Sequence, residues 1–301
     1  MKNLKKIINI KLLYLLTELI LILPILICSF FFKIYTKFGG ARLKNLRALL
    51  QTIGIYPIAD HYYQPLFKHS KLRKSLRSKR YLPGIIFNLN EQINFLKKLN
   101  FSTEFVEELK FQQNNNNLAF QFNNGSFESG DAEFLYQAIR YFKPNNLIEI
   151  GSGNSTKIAI MALTKNQNET NFKSNHICIE PYEMPWLEDT DVEVKRDLVE
   201  NIKLNNFEKL GKNDFLFIDS SHIIRPQGDV LKIYLEILPI LKSGVIVHIH
   251  DIFSPRDYLD QWVLEDIKLW NEQYILEALI SNSDRYQIIA SLNSLKYSNY
   301  Y

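Results

Sequence analysis

Cysteine is scarce in this chain: two in 301 residues, Cys28 and Cys178. One falls in an apolar stretch near the N-terminus and the other inside "HICIE", and neither has a partner at motif spacing. That argues against a disulfide-stapled secreted fold and a cysteine metal site, and fits a reducing cytoplasmic compartment. Acid is scarce only at one end. Residues 1–80 carry 16 Lys and Arg against Glu18 and Asp60, a net of +14, while the other 221 residues carry 20 against 30, a net of −10. A basic arm on an acidic body calls for an anionic neighbour, a membrane surface or nucleic acid. Internal repeats are also missing, which removes solenoid and propeller architectures.

Long apolar runs are confined to one place. Leu12 to Phe32 is 21 residues with a single charge, Glu18, and one proline, Pro24. At about 1.5 Å per residue this reaches across a hydrocarbon core. Glu18 opposes insertion by roughly 2–3 kcal/mol, which a dozen Leu and Ile offset. The stretch is too long, and lacks the small-residue cleavage site, for a secretory signal. A membrane anchor over residues 1–37 is therefore expected, with an interfacial helix or a helix packed on the protein itself as the alternatives, and with a membrane surface rather than nucleic acid as the arm's partner. Lysines and arginines flank the run on both sides, so the positive-inside rule gives no orientation.

Residues 38–122 read as a basic extension or cap. They contain "DHYYQPLF" (Asp60 to Phe67), "LRKSLRSKRYLPG" and a run of Asn from 114 to 117, expected as a loop because Asn favours turns. In the first of these, Asp60, His61, Tyr62 and Tyr63 are candidates to cap a cleft and choose a substrate. From 123 to 301 the pattern alternates. "DAEFLYQAIRYF" has helical spacing, with Ser129 or Asp131 as N-cap, and "NNLIEIGSG" is an apolar strand ending in a glycine turn. Further strands are expected at "HICIEP", "VEVKRDLV", "DFLFIDSSH", "GVIVHIHD" and "YQIIA", and a long helix over "YLDQWVLEDIKLWNEQYILEALIS". Continuous apolar strands alternating with helices predict an α/β fold: a Rossmann-like, seven-stranded, mostly parallel sheet with helices on both faces.

In such sheets ligands bind beyond the carboxyl ends of the strands. The first strand ends in Glu149, Gly151, Ser152, Gly153, Asn154 and Ser155; the second in Glu180; the next in Asp219, Ser220, Ser221 and His222; the last of the four in His250 and Asp251. Glycines without side chains admit a ligand to the backbone, and the helix that follows aims its amides at the same point. An acid at the next strand end can accept hydrogen bonds from both hydroxyls of a ribose. His222 or His250 is a candidate general base, titrating near neutrality. His248 is expected to be a strand residue satisfied by a neighbour, and Trp262, Trp270 and Tyr274, at helical spacing, to be core.

"LIEIGSGNST" followed by "ICIEP", "FLFIDSSH" and "GVIVHIHDIF" resembles the class I S-adenosylmethionine-dependent methyltransferases, and among them a bacterial group with catechol-methyltransferase-like motifs, over roughly residues 80–290. The resemblance implies that Glu149, Gly151, Ser152 and Gly153, with Asn154 and Ser155, surround the methionine part of the cofactor. It implies that Glu180 holds the ribose and that Asp219 lines the methyl-transfer cleft. It also implies a divalent metal at Asp219, His250 and Asp251, where the histidine suits Mn²⁺, Fe²⁺ or Zn²⁺ better than Mg²⁺. The acceptor would be a small molecule, or a sugar or lipid-linked glycan hydroxyl met at the cytoplasmic face of the membrane. Two other chemistries share these features: a nicotinamide-dependent Rossmann oxidoreductase, disfavoured by the missing third glycine, and a metal-dependent hydroxylase or hydrolase.

Overall fold

The computed structural model describes residues 2–39, 41–59, 63–115 and 119–298, which divide into a unit up to Arg73 and a second from Lys74 onward. Asp60, His61 and Tyr62 of the expected cap lie outside the described residues. In the first unit, α1 (Lys2–Phe38) contains Pro24 and ends at Gly39, whose φ of 83° suits a residue without a Cβ. Its stretch Ile10–Phe38 is long and apolar enough to cross a membrane. After a short turn follows α2 (Lys44–Ile53).

The second unit begins 49 residues before the domain start expected at 123. Its early helices are α3 (Leu89–Leu96) and α4 (Ser102–Asn115), so Asn114 and Asn115, expected in a loop, close a helix instead. Phe105 and Leu109 of α4 share one core with Tyr136 and Ile139 of α5 (Asp131–Phe142) and Ile158 and Met161 of α6 (Asn154–Thr170), which ties this segment to the sheet. Arg140, wholly buried, joins the three helices. Its Nε and Nη2 donate to Glu104 at 2.6 and 2.9 Å, and it also pairs with Asn166 and Glu169.

Five strands form the sheet: β1 (Asn146–Ile150), β2 (Asn175–Ile179), β3 (Glu193–Lys195), β4 (Phe215–Ile218) and β5 (Ile246–Ile249). Their order is β3-β2-β1-β4-β5 and every pairing is parallel. Period-two alternation splits the apolar residues between two cores. Leu147, Phe215 and Phe217 face α4, α5 and α6, while Ile148, Ile150, Leu216 and Ile218 face Val230, Ile233 and Tyr234.

The expected seven strands are thus five. "YQIIA" (286–290) makes no ladder, because the strand beside it ends the sheet: among the described residues β5 pairs only with β4. A cavity of about 570 Å³ lies along β5, lined by residues of Ile246–Asp251 and of 286–290 together with Phe134 and Phe142. The long helix expected after β5 is also broken. A turn of π-helix (Gln261–Glu265) is followed by Ile267 at φ 53°, and α9 (Glu272–Ile280) starts afresh. The "DVLKIYLEILPILK" helix similarly runs as α7 (Asp229–Lys232), a π turn (Ile233–Ile237) and α8 (Leu238–Ile240); α10 (Leu292–Lys296) lies near the C-terminus.

Candidate functional site

β1 has β2 on one side and β4 on the other, which makes its carboxyl end the point where the strand order reverses, the place where ligands bind in open parallel sheets. Gly151 is at φ 80°, and a Cβ there would come within 2.2 Å of the Asp219 carbonyl oxygen. Only glycine lets the β1 loop pass that close to β4. Ser152 N–H donates to Glu180 Oε2 at 3.1 Å, and the amides of Tyr182 and Glu183 donate to Glu180 Oε1 at 3.1 and 3.0 Å. Glu180 therefore clasps the β1 and β2 loops together. Ser152 Oγ is buried beside the Cys178 thiol.

Glu149, expected to surround the methionine part of the cofactor, is occupied by protein partners. It is 1% exposed and lies beneath the loop. It accepts from Ser155 Oγ (3.2 Å) and Thr156 Oγ1 (3.0 Å), and its other oxygen meets His176 Nε2 at 2.5 Å. Cys178 Sγ is 3.6 Å away, its thiol pushed far up by burial and the Glu149 charge. Glu149 thus fixes the start of α6, and with it the loop. Ser155 is turned the same way, whereas Asn154 reaches out to Ser126 Oγ at 3.1 Å. His176 carried no functional signal in the sequence, being one polar residue at the edge of a strand.

Beyond β4 and β5 the polar residues converge. His222 is buried, at φ 60°, and Asp251 is at φ 56°. Such conformations in non-glycine residues cost about 1–3 kcal/mol and gather at functional sites. His222 Nε2 lies 3.2 Å from Asp219 Oδ1 and 3.7 Å from Asp251 Oδ2, and these three side chains can offer atoms within 4.8 Å of one another. On its far side, Nδ1 meets Glu272 Oε2 at 2.7 Å. Glu272 is wholly buried and also accepts from Ser220 Oγ at 2.8 Å. The amides of Asn271 and Glu272 donate to the His222 carbonyl, so the start of α9 and this histidine hold each other. Trp270 covers the imidazole at a centroid distance of 4.2 Å.

The expected set Asp219, His250 and Asp251 is therefore assembled with His222 in the place of His250. His250 Nε2 lies 3.4 Å from Asp251 Oδ1, and its ring packs on Phe127 at 5.1 Å. His248 sits farther back, its ring 4.9 Å from Phe217 and 6.1 Å from Phe134. Three residues to which the sequence gave no functional role enter the site: Glu272, Trp270 and Asp131. Asp131, at the start of α5, is raised by burial and by the charges of Asp251 and Asp219, against the pull of His250. Trp270 was expected as core; the break before α9 brings it over His222.

Electrostatics follow from this packing. Burial opposes charge on His222, but hydrogen bonds to Asp219 and Glu272 overcome it and hold the imidazolium up to about 10. Asp219 is lowered by His222, His250 and His248 in spite of burial, while burial raises Asp251. His248, among apolar rings and near His250, is pushed down to about 3.

Residues 148–252 match a family described as a methyltransferase domain. An uncharacterized protein of Archaeoglobus fulgidus is 27% identical over 170 residues, covering 53% of this chain and 75% of its own length. A candidate protein-L-isoaspartate O-methyltransferase from Plasmodium falciparum, solved with S-adenosyl-L-homocysteine, is 13% identical, with 56% of this chain and 79% of that one covered and a TM-score of 0.29. The S-adenosyl-L-homocysteine-bound methyltransferase PaMTH1 of Podospora anserina is 14% identical, with 65% and 85% covered and a TM-score of 0.34. Likeness at that level adds nothing to the domain match.

Proposed function

We propose that this chain is a class I S-adenosylmethionine-dependent methyltransferase, a reading that the match of residues 148–252 to a methyltransferase domain supports, and that it methylates an oxygen nucleophile, a sugar or lipid-linked glycan hydroxyl, at the cytoplasmic face of a membrane. The observation that carries the cofactor's place is the clasp of Glu180 on the Ser152 amide. It brings a carboxylate and a glycine loop together at the carboxyl ends of neighbouring strands. The apolar α1 supports the membrane location and hence the acceptor class.

S-adenosylmethionine supplies a methyl group already activated on a sulfonium, so attack by an acceptor hydroxyl forms the O–C bond as the C–S bond breaks. The protein's task is alignment and removal of the acceptor's proton. His222 in its charged form has no lone pair to offer. Asp251, partly buried and raised in pKa, is the member of the trio able to take a proton while His222 keeps its own.

The trio also fits a divalent metal. Two carboxylates and one imidazole suit a borderline ion, and the Nδ1 contact with Glu272 leaves Nε2 aimed at the site. A metal at Asp219, His222 and Asp251 would lower the pKa of an acceptor hydroxyl. In that state His222 would have given up its Nε2 proton, and Glu272 would fix its tautomer.

Calorimetry with S-adenosylmethionine on the wild type and on Glu180→Ala tests the cofactor assignment. Binding to the first and a loss of at least about tenfold in the second, 1.4 kcal/mol, is expected for a lost charged hydrogen-bond acceptor. No binding to the wild type, or equal binding to both, would sink it.

A further inference from the structure

We propose that α2 is a membrane-surface helix whose apolar face lies in the headgroup region of an anionic leaflet, a reading that rests on α1 as the membrane anchor. Leu46, Leu49, Leu50 and Ile53 stand at helical spacing i, i+3, i+4 and i+7, within an arc of roughly 100°. Lys44, Arg47 and Gln51 occupy the opposite arc. A face of this kind normally covers a core, yet no residue of α2 is buried. Leu46, Leu49 and Ile53 are 49%, 55% and 59% exposed. A ten-residue helix is also shorter than the roughly 12–15 residues that persist alone in water, so α2 needs a surface to fold against.

α2 begins six residues after α1 ends at Phe38, so it starts at the boundary where the apolar helix leaves the membrane. Tyr56, just past α2, packs edge-on against Tyr35 of α1 at 6.2 Å. That contact holds the segment against the end of α1, and tyrosines favour the membrane–water boundary. Between Lys33 and Ala59 there is no acidic residue, while Lys33, Lys37, Arg42, Lys44 and Arg47 supply five cations. Basic polar face, apolar stripe and adjoining anchor together match an amphipathic helix lying in an anionic interface.

The test uses the full chain in a Cys28→Ser background, where buried Cys178 stays unlabelled. An environment-sensitive fluorophore is placed at Leu49→Cys, Gln51→Cys or Leu23→Cys, the last within the apolar run. The protein is reconstituted in phosphatidylcholine vesicles with or without phosphatidylglycerol, carrying nitroxide lipids at headgroup or mid-acyl depth. The expected result is a blue shift and headgroup-depth quenching at 49, little at 51, and stronger quenching at 49 when phosphatidylglycerol is present. Equal behaviour of 49 and 51, or a blue shift at 49 without lipid quenching, would overturn the proposal; the second outcome would mean that protein covers the face. Equal quenching at 49 in the two lipids would overturn the anionic preference. Mid-acyl quenching at 23 alongside any of these leaves the anchor standing, and its absence removes both readings.

Discussion

His222 is charged at neutral pH because two carboxylates, Asp219 and Glu272, grip its two nitrogens, and replacing one of them should show it. Glu272→Gln keeps the shape and removes a charge, so the His222 pKa should fall from about 10 toward the ordinary imidazole value in an NMR titration. An unchanged titration would show that Asp219 alone holds the proton. The sign of the linkage follows. A histidine raised in the folded state contributes stability in full below its unfolded value near 6.5 and loses it as pH rises through about 10. His248 runs the other way. Held down to about 3, it favours folding while neutral, and that contribution disappears as pH falls from about 6.5 to 3. His248→Phe, an aromatic ring in the same setting of Phe134 and Phe217, should flatten the acid limb of stability over that window in denaturant unfolding. Equal acid sensitivity of the two proteins would refute the assignment.

Among the elements, the helices on one face of the sheet are joined by a buried arginine rather than by apolar contact alone. Removing Arg140 as Arg140→Met leaves Glu104 with only the Tyr136 hydroxyl, takes the donor from Asn166 Oδ1, and leaves Glu169, now held below the ordinary range at about 2 by Arg140 and Lys143, without its main partner. Because Glu104 and Glu169 retain some access to water, the cost should be below that of breaking a fully buried pair, about 2–3 kcal/mol. Urea unfolding measures it, and a loss under about 1 kcal/mol would mean that packing carries the joint. The element most altered from expectation is the helix after β5. Its apolar spacing is helical throughout, yet Ile267 takes a left-handed conformation and the helix restarts at Glu272. That restart is what delivers Glu272 and Trp270 to His222.

At the scale of the molecule, the chain joins a basic, apolar arm to an acidic body that contains the match to a methyltransferase domain, and the arm's chemistry should dominate its partitioning. If α1 spans a bilayer, the full chain should stay in the membrane pellet through high salt and alkaline carbonate, as read by immunoblot of the fractions. Release by carbonate would show surface attachment and exclude spanning. Charge alone would be screened over about 10 Å at 0.1 M salt, whereas an inserted apolar helix is indifferent to salt.

Much of this protein was legible because its information is local. The four strand-end motifs are contiguous stretches in which period, glycine and acid sit within a few residues, so the parallel sheet and the places of Gly151, Glu180, Asp219 and Asp251 could be read directly. The sequence by itself also determined the apolar N-terminal helix and the charge asymmetry, since both are properties of composition along a segment. Only the tertiary structure decided which histidine joins Asp219 and Asp251, that Glu149 turns beneath its loop, and that the sheet stops at β5. Those outcomes depend on groups 50 residues apart, Glu272 with His222, or on which face of a strand a neighbour fills. A one-dimensional pattern records the period of a strand or helix, but not which buried charge will find a partner when the chain closes.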